Sequence, residues 1–305
     1  MESIKIAQWA GRHIGYMPLY LAQKRGLFAA LGVDATIYGA GNDDAIFKEV
    51  ESGRADFGVG DPVFAALDYH KNAKVRVVAS LIGNLPIWGI THHPQIKPFS
   101  HLSDFVGLRI GSFPRPSTTY TLLSALKTRN PRLLKSMEIV EAEIGQQAFL
   151  LASGQVDLIL ELEPTVSATL RQGLHIVCAM SDFYPDFLMT GLMVSSETID
   201  RRPDLVRRVV KGIQQALTLL QTHPEEAVSV GLEMFPFISK EIMAEGVQRM
   251  LGSWPAQAVI SPQGWANTIK MRQDVGELPS VPPFDAVVDQ RFAYEALDLD
   301  FTKLS

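Results

Sequence analysis

The sequence lacks the features that several large protein classes require. Its single cysteine, Cys178, rules out a disulfide within the chain, and the apolar run 175–180 around it predicts a packed thiol rather than a reactive one. Apolar runs are about one strand long, well short of the roughly 20 residues that span a bilayer, so we predict no membrane-spanning segment. Lysine and arginine are scattered and the formal net charge is -5, which argues against a nucleic-acid-binding face.

Common catalytic and cofactor motifs are also missing. The chain has no Gly-x-Ser-x-Gly, Walker-type loop, Cys-x-x-Cys or His-Glu-x-x-His. His92 and His93 have no further ligand at metal-binding spacing, so we predict a solvated pair, no metal site and no cofactor. These absences weigh against the common enzyme classes and leave an unusual enzyme open.

The N-terminus runs directly into a strand-like segment, 4–9, without a basic stretch followed by an apolar segment and a cleavage site. Two interpretations remain open: a cytoplasmic chain, or one whose signal peptide was removed and replaced by a start methionine.

What the sequence does contain is an internal repeat. Ser-Gly-Arg-Ala-Asp-Phe at 52–57 matches Ser-Gly-Gln-Val-Asp-Leu at 153–158, and each copy follows a helical pattern, 43–51 and 145–152. Each copy leads into a short apolar run that ends in an acid and a proline, Asp61-Pro62 and Glu163-Pro164. A helical pattern (63–70 and 165–172) and a β-rich run (75–81 and 175–180) then follow in both copies.

The alternation of strands and helices predicts parallel βαβ units, and the repeat predicts two of them. We therefore predict an α/β fold with two lobes joined by two crossings, 84–92 and 182–195. Lobe one is predicted to span 1–86 plus 190–305, and lobe two 87–189. Helices predicted at 203–221, 224–234, 239–252 and 262–275 should pack back on lobe one, because they bring no sheet of their own.

Ligands of open parallel sheets bind beyond the carboxyl ends of the strands. In lobe one this rule selects the loop after Trp9, where Trp9, His13 and Tyr16 could stack on a ligand or hydrogen-bond to it. The alternatives are that the two aromatic residues only pack and that His13 is a solvated loop residue. Trp88, on the first crossing, is a further candidate for contact with a flat ligand.

In lobe two the equivalent loop carries Arg115 and the hydroxyls of Ser117, Thr118 and Thr119 at a helix start. A helix start with hydroxyls and an arginine can receive carboxylate, sulfonate or phosphate oxygens. The alternative for Ser117 is a simple N-cap.

Two further predicted strands end in residues with carboxylate side chains. Period-two alternation places Glu161 and Glu163 on one face, where they could bind an amine or act as an acid/base pair. The alternative is one solvent-exposed glutamate and one that caps the next helix. Asp61, at the matching place in lobe one, has the same two interpretations, with capping favoured.

These residues resemble the nitrate/sulfonate/taurine-type solute-binding proteins of ABC importers, a superfamily shared with thiamine-pyrimidine-precursor binders and a related synthase. The resemblance is carried by Gly-Tyr-Met-Pro-Leu-Tyr-Leu-Ala at 15–22, Lys-Arg-Gly-Leu-Phe at 24–28, the segments 52–58 and 102–111, Glu163-Pro164, and the stretches 203–206 and 224–227. Together they cover roughly residues 4–235.

The resemblance implies a type II periplasmic-binding fold, ligand capture by lobe closure and delivery to an ABC permease. It places ligand contacts at Gly15 and Tyr16, at Asp61 and at 117–119. The chain departs from the family at Arg12 and His13, and at Glu161, where an aromatic residue is frequent. It also lacks the cysteine-rich motif of the synthase.

We therefore expect an extracytoplasmic, monomeric binding protein for a small, anion-bearing organic ligand, with no catalytic residues. Two alternatives remain: an enzyme of cofactor-precursor metabolism that uses His13 with Glu161 or Glu163, and a ligand-sensing module.

Overall fold

The computed structural model describes residues 1–69, 71–72, 74–143 and 145–298, which form two five-stranded sheets. Residues 70 and 299–305, at the ends of the predicted helix 63–70 and of predicted lobe one, lie outside the described residues. The strands are β1 Glu2–Trp9, β2 Val33–Gly41, β3 Phe57–Gly60, β4 Val75–Gly83, β5 Trp88–Thr91, β6 Arg109–Ser112, β7 Glu138–Glu141, β8 Leu158–Glu161, β9 His175–Ala179 and β10 Leu188–Ser195.

The first sheet has the order β2-β1-β3-β10-β4. Strand β1 runs parallel to both of its neighbours, β2 and β3, with Ile6 opposite Ile37 on one side and Phe57 on the other. Ile4 and Ile6 are buried on one face, as the alternating pattern of β1 requires. We call the part of the molecule built on this sheet lobe one.

The second sheet has the order β7-β6-β8-β5-β9 and repeats this plan. Strand β6 is parallel to both of its neighbours, β7 and β8, with Ile110 opposite Ile139 and Leu158. We call the part built on it lobe two. The predicted α/β fold with two similar sheets is therefore confirmed.

Each sheet also contains one antiparallel strand that the βαβ interpretation did not predict. Strand β10 lies antiparallel between β3 and β4, and β5 lies antiparallel between β8 and β9. Much of each predicted crossing is therefore sheet, and only 84–87 and 183–187 connect the lobes without regular strand structure. The Asn84 N–H donates to the Phe187 carbonyl at 2.6 Å, so the two connections touch.

The helices lie close to the predicted positions. They are α1 Met17–Lys24, α2 Leu27–Ala30, α3 Asp43–Glu51, α4 Val63–Tyr69, α5 Thr118–Arg129, α6 Pro131–Ser136, α7 Gln147–Ala152, α8 Thr165–Leu170, α9 Ser196–Arg201, α10 Pro203–Thr222, α11 Pro224–Met234, α12 Lys240–Met250, α13 Pro262–Asp274, α14 Phe284–Val287 and α15 Arg291–Ala296.

The C-terminal helices pack on lobe one as predicted, chiefly through α10. Val206, Val209, Ile213 and Leu217 form its buried stripe at helical spacing, and the helix packs on α1, α2 and α15. Helices α12 and α13 do more than predicted, because they also contact α8 and α5 of lobe two. The C-terminal region therefore bridges the lobes. Within the described residues, no helix is long and apolar enough to cross a membrane.

Candidate functional site

A cavity of about 380 Å³ lies where the two lobes face each other. Three loops supply most of its wall: the loop after β1, the loop after β2 and the loop between β6 and α5. All three follow the carboxyl ends of strands, so the position agrees with the rule for parallel sheets. We call this space the main cavity. It is lined by Trp9, Ala10, His13, Tyr16, Gly41, Asn42, Asp43, Phe113–Thr119, Glu143, Leu162 and Met189.

Aromatic rings form one side of the main cavity. Trp9 meets Phe113 edge-on across the lobes, with ring centroids 5.8 Å apart, and His13 lies 4.2 Å from Tyr16. His13 is buried rather than solvated, and its Nδ1 accepts from the Gly15 N–H at 3.2 Å. Burial lowers the pKa of His13 to about 4, so the ring is neutral at pH 7. This side suits a flat, uncharged part of a ligand.

Asp43 is one of two acidic residues that line the main cavity, with Glu143, and sequence reasoning missed both. Asp43 stands in the first turn of α3, and its Oδ1 accepts from the Asp61 N–H at 2.9 Å. Burial, together with the charge of Asp61, raises the pKa of Asp43 to about 6. The available signal was Asn42-Asp43 directly after a strand, because the loop after β2 also follows a carboxyl end.

The three predicted hydroxyls at the start of α5 are largely occupied by the protein itself. Ser117 is the N-cap, as its alternative interpretation held, accepting from the Tyr120 N–H at 3.3 Å and donating to the Phe113 carbonyl at 2.9 Å. The Thr119 hydroxyl accepts from Ser112 and from the Phe113 N–H. Since the first N–H groups of a helix have no partner within it, the donors left for an anion are those of Thr118 and Thr119.

Arg115 lines the main cavity, but it is held by another residue. Its N–H and guanidinium donate to Glu141 at 2.8 and 3.0 Å, and it lies over the Tyr120 ring at 4.8 Å. The backbone and side-chain bonds from Arg115 hold the pKa of the Glu141 carboxyl below its ordinary value. A ligand anion would therefore compete with Glu141 for this arginine.

A smaller cavity of about 180 Å³ lies on the other side of Trp9 and Phe113, and we call it the side cavity. It holds both predicted glutamates. The Glu163 carboxylate caps α8, accepting from the Ser167 N–H and hydroxyl at 3.1 and 3.0 Å, and it pairs with Arg249 at 2.5 Å. Glu161 is buried rather than exposed, and burial raises its pKa to about 7. Its carboxylate accepts a bond from the adjacent Leu162 N–H.

Asp61 caps α4, as its favoured interpretation held, with its Oδ1 accepting from the Val63 N–H at 3.0 Å. Its other oxygen accepts from Thr118 of lobe two at 3.2 Å and pairs with Arg272 of α13 at 2.5 Å. Arg249 and Arg272 carry no local sequence signal, because each lies far along the chain from its partner.

Two other predicted residues lie away from both cavities. Trp88 is buried in the second sheet, opposite Glu161 and Ala179, and lines neither cavity. Gly15 is covered: its carbonyl accepts from the Trp254 Nε1–H at 2.9 Å, and a side chain there would meet the His13 ring. Of the twelve candidates, those that line the main cavity are Trp9, His13, Tyr16, Arg115, Ser117, Thr118 and Thr119.

Among the described residues, no group of three or more histidine, cysteine or acidic side chains is arranged to hold a metal ion. Cys178 is buried beside Gly89, and burial raises the pKa of its thiol to about 12, so the packed thiol is confirmed.

The family model described as NMT1/THI5 like matches residues 13–227, which is more than half of the chain. The chain belongs to the NMT1/THI5-like family. One relative is a Brucella abortus protein whose name assigns it provisionally as a binding protein. It is 22% identical over 244 residues, which are 75% of this chain and 73% of the relative.

Solved structures show that the NMT1/THI5-like chain has the periplasmic-binding-protein fold. The alkanesulfonate-binding protein SsuA of Xanthomonas axonopodis pv. citri, bound to MOPS, superposes with a TM-score of 0.73 at 16% identity, covering 95% of this chain and 99% of SsuA. The desulfurization enzyme DSZB superposes with a TM-score of 0.70 at 15% identity, covering 98% and 99%. The same fold thus carries a binding protein and an enzyme.

Proposed function

We propose that this chain is an extracytoplasmic solute-binding protein that captures one small organic molecule in the main cavity and delivers it to an ABC permease. The observation that carries the proposal is the main cavity itself, which both lobes build from loops at the carboxyl ends of their strands. The relatives named for binding support it.

The ligand should have a flat part and a hydrogen-bond-accepting, anionic group. The flat part would lie against Trp9, Tyr16 and Phe113. The acceptor would take the free N–H groups at the start of α5, where the helix dipole favours negative charge.

Capture would occur by closure of lobe one, 1–86 plus 190–305, on lobe two, 87–189. The short connections 84–87 and 183–187 are suited to act as the hinge, because only a few residues need to change conformation there. The chain would act as a monomer, since its cavity is complete within one copy.

The test is native mass spectrometry of protein incubated with an extract of its source cells. We expect one retained small molecule per chain, absent from the Ala10→Trp variant, whose new side chain fills the main cavity. Ala29→Trp, on the exposed face of α2, is the matched control and should retain it. Retention by Ala10→Trp, or no retained molecule in the wild type, would contradict the proposal.

A second candidate function is an enzyme, favoured by His13 and Glu161 lining the same side cavity and by the fold shared with DSZB. His13 is neutral at pH 7 and would act as the base, and Glu161 as the acid. Conversion of the retained molecule by the wild type but not by His13→Ala would establish it. Release of the molecule unchanged would leave binding alone.

A further inference from the structure

The side cavity continues the main cavity behind a shared wall. Trp9, His13, Phe113 and Leu162 line both spaces. Three of these four side chains are rings set edge to face, so side chains separate the two spaces, and a ligand that contacts both would have to pass beside or displace these rings. A group that enters the side cavity can therefore belong to the same ligand that fills the main cavity.

Glu161 is the group in the side cavity that the protein leaves without a counter-ion. The residue is 6% exposed, and its carboxylate accepts a 3.3 Å bond from the adjacent Leu162 N–H. No described residue forms an ion pair with it. A buried carboxylate that is neither ion-paired nor fully hydrogen-bonded lowers the stability of the folded protein, so its presence in the side cavity calls for an explanation.

The other charged and titratable groups around the side cavity do not supply the missing charge. Glu163 has its own cation, Arg249, at 2.5 Å. His13 is neutral, because burial lowers its pKa to about 4. Arg12 lies at the solvent-exposed rim and makes no ion pair with Glu161. When Glu161 is ionised, its charge therefore has no cation within ion-pair distance among the described residues.

We propose that the side cavity is a second subsite, in which Glu161 binds a primary or secondary ammonium group of the ligand while the remainder of the ligand occupies the main cavity. This rests on the proposed binding function and narrows its ligand class. The ligand then carries both a cationic end and a flat or acceptor-bearing end. An ammonium supplies what the site lacks, because it brings a positive charge and two or three donors to an acceptor-only carboxylate.

The proposed subsite predicts that binding of the ammonium group depends on pH. Since burial raises the pKa of Glu161 to about 7, the carboxyl is mostly protonated at pH 5.5 and mostly ionised at pH 8. An ammonium prefers the ionised form, so binding should weaken as the pH falls through 7. Binding should in turn lower the pKa of Glu161 and release a proton.

The experiment compares 2-phenylethylamine with its neutral analogue 2-phenylethanol by isothermal titration calorimetry. At pH 8 we expect the amine to bind about tenfold more tightly, the effect of one charge-assisted hydrogen bond. The preference should disappear at pH 5.5 and in Glu161→Gln. It should persist in Glu143→Gln, a control that removes a carboxylate of the main cavity. Carboxyl-carbon NMR should show the pKa of Glu161 falling when the amine is added.

Equal binding of amine and alcohol at pH 8 would overturn the subsite, as would a preference that survives in Glu161→Gln. No amine binding at millimolar concentration would also overturn it. In each case the proposed binding function would still hold if the wild type retains a small molecule that Ala10→Trp does not. If the wild type retains no molecule, both the subsite and the proposed binding function would be contradicted.

Discussion

The repeat contains two acid-proline corners, Asp61-Pro62 in lobe one and Glu163-Pro164 in lobe two. Their carboxylates have the same two structural roles, but the surroundings of the two corners differ. Each carboxylate caps the helix that follows it, and each forms an ion pair with an arginine from the C-terminal helices. Arg272 comes from α13 and Arg249 from α12, two helices that bridge the lobes.

The two ion pairs differ in how deeply they are buried and in the hydrogen bonds that they make to the other lobe. In the Asp61–Arg272 pair both side chains are 3% exposed, whereas Arg249 is 25% exposed beside a fully buried Glu163. Arg272 also donates to Thr121 of lobe two at 2.7 Å, while Asp61 accepts from Thr118 of the same helix. The corners match in sequence, but the lobe-one corner is sealed in the interface and the lobe-two corner is open to water.

The largest expected effect comes from breaking the sealed corner. Arg272→Met leaves Asp61 buried without a cation, and we expect a loss of about 3–5 kcal/mol in the free energy of unfolding, measured by urea denaturation. The control is Asp61→Leu combined with Arg272→Met, which removes both charges and should recover most of the loss. If Arg272→Met alone is as stable as the wild type, the Asp61–Arg272 pair contributes little to stability.

A smaller effect is expected at the open corner. Arg249→Met strips the cation from Glu163, but water can reach the site beside Arg249, so we expect a loss of about 2–3 kcal/mol in the same measurement. A loss as large as that of Arg272→Met would erase the distinction between the corners.

Glu161 provides a third case for comparison with Asp61 and Glu163, because it is a buried acidic residue without an arginine as ion-pair partner. Burial raises its pKa from 4.5 to about 7, so the folded chain favours the protonated form. Its stabilising contribution is present below pH 4.5 and is lost as the pH rises through 7. We expect Glu161→Gln to raise the free energy of unfolding by about 2 kcal/mol at pH 8 and by almost nothing at pH 4.

The measurement is urea denaturation at both pH values, with Glu163→Gln as the matched variant. That change weakens an ion pair and should lower stability at pH 8. If both glutamine variants shift stability in the same direction at pH 8, the different roles assigned to these neighbours are wrong.

The smallest effect is expected at an exposed pair. Arg115→Ala breaks the contact with Glu141, in which Arg115 is 65% and Glu141 29% exposed, so the free energy of unfolding should change by at most about 1 kcal/mol. Thermal denaturation at low and high salt provides the check, and a large loss at either salt concentration would contradict this assignment.

Local pattern predicted much of the fold. The repeat located both sheets, and the helix predicted at 43–51 has those bounds in the structure. Ser117, Asp61 and Glu163 are caps because capping depends on residues two to four positions away, which a sequence displays directly.

What local pattern could not supply was pairing over long distances in the chain. Asp61 and Arg272 are 211 residues apart, and no spacing rule connects them. The antiparallel strand β10 joins lobe one through the same kind of distant pairing, and Trp88 was assigned to the cleft because its strand β5 was interpreted as a free crossing. Asp43 differs from these cases, because it lies directly after β2 and the predicted ligand loops do not include that position.

Both arginines lie beyond residue 227, where the match to the family model ends, and within the described chain no residue after Met189 lines the main cavity. The ion pairs that join the lobes therefore come from a different part of the chain than the residues of the proposed binding site. If the chain binds a ligand as proposed, substitutions in α12 and α13 are expected to change how readily the lobes separate without changing which ligand fits.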